Sequence, residues 1–342
     1  MKEGRPRIGC RLRAGRLMTP CLLGIVIALG GCRGGKSDPN QARELKLGYV
    51  MAPQGAAHEA AQEFARLVNA KTRGKITVKL YPNASLGTDK ELAEGLIFGS
   101  VDLVLSGLAS ISSYVPQYEV LEAPYVYRDY DHLDRVVNGE IGQEVNEALL
   151  EVKKIRILGW WARGPRYLTT NKEIRTPADL KGLKLRVPQL PTYRAAWQIL
   201  GANPTPITYS EMFMALKQGV VEGQENPLEV IYTSHLNEVQ KYVIETKHLL
   251  STYMMMVGED RYRQLPPDQQ QALKDTAVEA GEYEFKLVQK YDKDYAAQLK
   301  KKGMTFVKVD TNAFRDPVVR QLPAQFEGRW QPGLFKRIQD IK

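Results

Sequence analysis

Two residues in this sequence are well suited to gripping an anion, and each stands within two residues of a proline. Arg186 lies in the β-forming run Leu183-Lys-Leu-Arg-Val187, two residues ahead of Pro188. An arginine at a strand end next to a turn is well placed to face a cleft. There its planar guanidinium gives a carboxylate two parallel charge-assisted bonds. The other reading is an ordinary surface charge, the usual place of an arginine. Asn226 stands in Gly223-Gln-Glu-Asn-Pro227. Its amide offers a donor and an acceptor together, and Pro227 restricts the backbone before it. Asn ahead of Pro is also common turn chemistry, so that alternative stays open.

No catalytic signature accompanies these residues. The sequence has neither a G-x-S-x-G nor a G-x-G-x-x-G pattern. Its four histidines, His58, His132, His235 and His248, are far apart and share no helical ligand spacing. Carboxylates are plentiful, but no spacing marks a glycosidase-like pair. No cofactor, metal site or catalytic residue is expected. The length of 342 residues suggests two domains. With 43% hydrophobic and 25% charged residues, the chain is globular rather than disordered, collagenous or coiled-coil. The net charge of +9 overstates its basicity, because Lys2, Arg5, Arg7, Arg11, Arg13 and Arg16 all fall in the first 31 residues. The remaining surplus of +4 is spread too thinly for a nucleic-acid surface.

The basic residues 1–20 and the apolar run Cys21–Leu29 read as an export signal. The run is far shorter than the roughly 20 residues of a membrane span. It leads into Leu29-Gly-Gly-Cys32, which resembles the lipobox of bacterial lipoproteins, where the cysteine becomes the lipidated first residue. All three cysteines (Cys10, Cys21, Cys32) lie at or before this point. The exported domain must therefore be held by its core rather than by disulfides, and has no thiol for structural zinc. Residues 1–31 are read as a lipoprotein signal peptide and 32–43 as a tether, anchoring the protein to a membrane in the periplasm or at the cell surface through Cys32.

The elements that must position Arg186 and Asn226 alternate between strand and helix. Strands are expected at 45–51, 76–81, 101–105, 155–161, 167–170, 183–187, 253–257 and 304–309. Helices are expected at about 58–72, 90–98, 143–152 and 191–200. Thr208-x-x-Glu211 reads as a capping box opening a helix over 211–218. Residues 267–302 are helical in character throughout, too long for one small domain, so this helix should span two.

Several segments in order resemble the extracytoplasmic solute receptors of TRAP transporters, the DctP-like dicarboxylate-receptor family. They are Tyr81-Pro-Asn-Ala-Ser-Leu-Gly87, Leu121-Glu-Ala-Pro-Tyr125, Trp161-Ala-Arg-Gly-Pro-Arg166, Asp179-Leu-Lys-Gly182 through Pro188, Gly201-Ala-Asn-Pro-Thr-Pro206 and Val221-Glu-Gly-Gln-Glu-Asn-Pro227. The resemblance implies a two-domain α/β, periplasmic-binding-protein-like fold with mixed sheets, a hinge and a long domain-spanning helix. Domain I is expected at 44–164 plus 252–290, and domain II at 165–251 plus 291–342. The implied function is capture of a small organic anion, a C4-dicarboxylate or a sugar acid such as a uronate, and its delivery to the membrane transporter. The alternative is an exported hydrolase or lyase acting on anionic saccharides. No nucleic acid is an expected partner, and the protein is expected to be a monomer.

The resemblance also assigns roles. Arg186 matches the family arginine that grips the ligand carboxylate, Arg166 a second arginine that supports it, and Asn226 an amide that binds the carboxylate or a hydroxyl. Tyr209 aligns with an aromatic of the family pocket, with a core-facing tyrosine as the other reading. His58 is either a ligand contact or a helix-start residue. Arg163 reads as a solvated loop charge, and Asp89 either binds a ligand hydroxyl or favours a helix N-terminus, the second reading being the better. Ser106-Gly107 stands where sialic-acid receptors carry an acid, which argues against sialic acid.

Overall fold

The computed structural model describes residues 42–342, so the export signal, Cys32 and nearly all of the tether lie outside the described residues. The chain begins with β1 (Arg43–Gly48), α1 (Ala56–Lys71), β2 (Ile76–Tyr81), α2 (Asp89–Phe98), β3 (Leu103–Ser106), α3 (Tyr130–Val137), α4 (Glu140–Lys153) and β4 (Ile155–Ala162). It continues through β5 (Arg166–Thr170), β6 (Lys184–Val187), α5 (Pro191–Ile199), β7 (Asn203–Pro206), α6 (Met212–Lys217), β8 (Gly223–Pro227), α7 (Leu228–Thr233) and β9 (Tyr242–Ile244). It returns by β10 (Thr252–Gly258), α8 (Glu259–Arg263) and α9 (Pro267–Lys301), then ends in β11 (Thr305–Val307), α10 (Thr311–Gln325) and α11 (Leu334–Asp340).

The strands form two mixed sheets, ordered β2-β1-β3-β10-β4 and β11-β9-β5-β8-β6-β7. In the first, β1 runs parallel to β2 and β3, while β10 is antiparallel to β3 and β4. Its central strands are apolar without alternation. Leu103, Val104 and Leu105 of β3 and Met254 to Val257 of β10 are buried on both faces, as expected for strands covered by helices on either side. In the second sheet β8 is antiparallel to β5 and parallel to β6. The chain passes between sheets three times, from β4 to β5, from β9 to β10 and, through α9, from β10 to β11. This is the expected two-lobed α/β architecture.

Local chemistry sets the element ends near the cleft. Thr88 caps α2 in a reciprocal box with Glu91, and Gly99 ends the helix in the left-handed region. Such an N-cap stabilises by about 1 kcal/mol. The box expected from Thr208 and Glu211 does not form. α6 starts only at Met212, and the Thr208 hydroxyl instead donates to the Glu211 carboxylate at 2.6 Å. Thr208 sits one turn too far upstream to reach the helix's free N–H groups.

Helix α9 is 35 residues long, about 52 Å at the usual rise. Its first half packs Leu273, Ala277 and Ala280 into the core that includes the first sheet. Its second half packs Tyr295 and Leu299 with Met212, Ile231 and Val243 on the second. Gly281 allows the close approach to β4, since a Cβ there would come within 2.6 Å of the Trp161 ring. The Trp161 indole donates to the Ala277 carbonyl at 2.7 Å. The chain's end is tied down by bidentate pairs, Arg329 to Glu119 and Arg337 to Glu144. Among the described residues no helix is long and apolar enough to cross a membrane.

Candidate functional site

A cleft lies between the two sheets where β4 passes into β5. Met51, Asp89, Ser106 and Gly107 line it from the first-sheet side, and Arg186, Tyr193, Tyr209 and Asn226 from the second. Arg163 comes from the crossing between β4 and β5, Arg166 from the start of β5 and Tyr253 from β10. The cleft extends past Thr208 and Ser210 at one end. Strands β5 and β6 flank β8, so Arg166, Arg186 and Asn226 project from three adjacent strands.

The polar run Gly-Gln-Glu-Asn-Pro is a strand, not a turn, and all five of its residues are buried. Its side chains pair with their neighbours. Glu225 takes Arg166 Nε at 2.5 Å and Nη2 at 2.9 Å, and also His248 Nε2 at 2.9 Å. Burial alone would raise the Glu225 carboxyl, but the Arg166 charge and the His248 bond outweigh it and hold it at about 2. Arg166 Nη2 also donates to the Glu225 carbonyl at 2.8 Å and to Asn226 Oδ1 at 3.0 Å. Only its Nη1 lacks an acceptor among the described residues.

Arg186 is in a different state. It is 3% exposed, yet its one side-chain bond runs from Nε to the Ile207 carbonyl at 2.9 Å. No carboxylate of the described residues lies within ion-pair distance. Burial pulls its pKa down to about 10, Glu225 working against that and Arg166 with it. A buried guanidinium without a counter-ion is costly. A carboxylate entering the cleft would supply the missing partner.

The remaining candidates divide. Asn226 is buried, and its Nδ2 donates to Gln224 Oε1 at 2.7 Å. Tyr209 forms part of the wall, with its hydroxyl bonded to Ser234 Oγ at 2.8 Å. His58 is not among the lining residues. It lies in the first turn of α1, and its Nδ1 meets the Tyr49 hydroxyl at 2.6 Å.

Of three further lining residues, Arg163 was misread, Glu122 was passed over, and Asp89 combines both roles weighed for it. Arg163, read as a solvated charge, lines the cleft with its guanidinium 4.2 Å above the Tyr253 ring. Asp89 does open α2, but its carboxylate also takes the Ser106 hydroxyl at 2.5 Å inside the cleft. Glu122 takes the Tyr193 hydroxyl at 2.6 Å. Burial raises both carboxyls, against the lowering effect of Ser106 on Asp89 and of Tyr193 on Glu122. Glu122 falls in Leu121-Glu-Ala-Pro124, a segment noticed for its resemblance and not for its charge. Among the described residues no cluster of His, Cys, Asp and Glu could hold a metal.

The arrangement presents the guanidinium groups of Arg163 and Arg186 to one cleft. The profile of the DctP family, bacterial extracellular solute-binding protein, family 7, matches residues 47–328. The chain belongs to this family. A solute-binding protein of Roseobacter denitrificans is 40% identical over 275 residues, 80% of this chain and 84% of that one. The 2,3-diketo-L-gulonate-binding periplasmic protein of Escherichia coli is 32% identical over 305 residues, 88% of this chain and 93% of that one. A solved TRAP periplasmic solute-binding protein of R. denitrificans with bound L-galactonate matches with TM-score 0.82 and 36% identity, covering 88% of this chain and 99% of that one. This DctP-family protein is thus an extracytoplasmic receptor that captures a small organic anion for a TRAP transporter. It is not an enzyme, and the alternative of a hydrolase or lyase is set aside.

Proposed function

We propose that the receptor takes a monoanionic polyhydroxy acid, an aldonate or uronate, in preference to a C4-dicarboxylate. The observation that carries this reading is the presence of Asp89 and Glu122 in the same cleft as Arg163 and Arg186. Each carboxylate has one oxygen without a protein donor among the described residues. Ligand hydroxyls would supply those donors. A second ligand carboxylate would add repulsion instead. The L-galactonate in the Roseobacter protein and the diketogulonate in the name of the E. coli protein agree with this chemistry. In this reading Arg186 holds the ligand carboxylate with two parallel bonds, Arg166 Nη1 and Asn226 support it, and Tyr209 closes the wall. His58 orders Tyr49 and makes no ligand contact. The test is thermal shift with L-galactonate, D-glucuronate and succinate. A shift with either sugar acid and little with succinate is expected. Succinate stabilising more strongly than both would overturn the reading.

The place and shape of the receptor are part of the same proposal. A lipid on Cys32 would tether the folded part to a membrane, as Leu29-Gly-Gly-Cys32 suggests. Cys32→Ser should release the protein from membranes, and persistent sedimentation with them would refute the anchor. The lobes comprise 44–164 with 252–290, and 165–251 with 291–342. Within the latter, Arg329 and Arg337 tie the last segment to Glu119 and Glu144 of the first lobe. We propose that the receptor works as a monomer, and sedimentation analysis of the purified protein tests it.

A further inference from the structure

We propose that Arg163 reads the end of the ligand away from its carboxylate and so sets the length of acid the receptor accepts; this rests on the sugar-acid reading of the cleft. Arg163 lies in the crossing between β4 and β5, while Arg186 lies on β6. Its guanidinium stacks over Tyr253 of β10, a first-sheet strand, and stands beside Gly107, which follows β3. The two guanidinium groups therefore belong to opposite walls.

Like Arg186, Arg163 has no carboxylate within ion-pair distance among the described residues. Its Nε is buried without a partner. Yet Asp89, Glu122, Glu229 and Glu284 all feel its charge. Asp89 and Glu122 attract the cation from within the cleft, and Tyr253 fixes its plane. Neither uses its hydrogen-bond fork, so the donors remain for a guest. An acid long enough to reach from Arg186 to Arg163 would offer them a hydroxyl or carbonyl oxygen. An acid too short would leave them unmet.

Gly107 supplies the room. A Cβ at this position would stand 4.0 Å from Arg163 Nη1 and 3.6 Å from the Thr252 carbonyl. Its backbone, at φ −79°, suits any residue. A long side chain there would occupy the space in front of the guanidinium without straining the loop.

Calorimetric titration of the full chain with L-galactonate, a six-carbon acid, and D-erythronate, a four-carbon acid, tests the assignment. Arg163→Gln should weaken galactonate binding by about tenfold or more, the usual scale for a lost bond to a charged donor, and erythronate binding by less than about threefold. Gly107→Leu, which keeps Arg163, should show the same bias against the longer acid. Equal losses on both acids, or no loss on galactonate, would overturn the role of Arg163. A wild-type receptor that binds succinate and neither sugar acid would overturn the sugar-acid reading, and this inference with it.

Discussion

Arg166 and Arg186 face one cleft from strands on either side of β8, and the protein pairs only the first. Arg166 meets Glu225 at 2.5 Å, whereas Arg186 has no carboxylate partner among the described residues. The family resemblance gave both a ligand role. The geometry suggests a division, with Arg166 building the wall and Arg186 waiting for the guest.

The first prediction concerns the wall. Arg166→Ala should destabilise the unliganded receptor by roughly 3–5 kcal/mol, the usual cost of leaving a buried carboxylate unpaired. The Glu225 carboxyl also makes a pH signature. Its folded value of about 2 lies below its ordinary 4.5. Its contribution is therefore fully present above the ordinary value and lost as pH falls from there toward 2. Melting temperatures across that window should fall less steeply for Glu225→Gln than for the wild type. Parallel curves would mean that the pair does not act as described.

Glu229 should behave with the opposite sign. Its carboxylate takes the Ala57 N–H at 3.3 Å at the start of α1, with Arg163, Glu59 and Glu284 near it. Burial pushes it up to about 7, against the α1 N–H groups and Arg163. The folded state then holds a proton that the unfolded state has lost, so stability falls as pH rises from the ordinary glutamate value toward 7. Glu229→Gln keeps an acceptor for α1 and removes this loss. Its advantage should grow from nothing at acid pH to at most about 3 kcal/mol above pH 7. An advantage independent of pH would count against a buried, proton-holding Glu229.

Much of the fold was legible because its signals are local. The apolar runs of β3 and β10 and the unbroken pattern of α9 mark their elements directly, and the turn at Gly74 ends α1 as expected. Strand β8 was not legible. Its five residues carry no apolar side chain before Pro227, and their burial is balanced by partners on β5 and beyond β9, such as Thr169 and His248. Arg163 was missed for a related reason. Nothing beside it in sequence announces Tyr253, ninety residues on, as the ring it covers. Arg186 was found through the family resemblance, since its sequence setting alone favoured a surface charge.

Asn226 gives a prediction in which charge decides. Its Oδ1 accepts from Arg166 and its Nδ2 donates to Gln224. Asn226→Asp keeps the first bond, loses the second and sets a negative charge near the ligand carboxylate. Affinity for a sugar acid should fall further than in Asn226→Ala, because repulsion adds to the lost donor. Titration of both variants decides it, and an Asp variant that binds as well as the wild type would remove Asn226 from the site.

The central claim is that Arg186 is kept unpaired for the ligand carboxylate, and calorimetric titration of Arg186→Lys with L-galactonate tests it most directly. Lysine preserves the charge but not the two-bond fork. The variant should lose most of the roughly 2–5 kcal/mol that goes with removing a partner from a desolvated pair. Its melting temperature without ligand should stay within a few degrees of the wild type, because no protein carboxylate is abandoned. Wild-type affinity in the Lys variant, or a large loss of stability without ligand, would contradict the account.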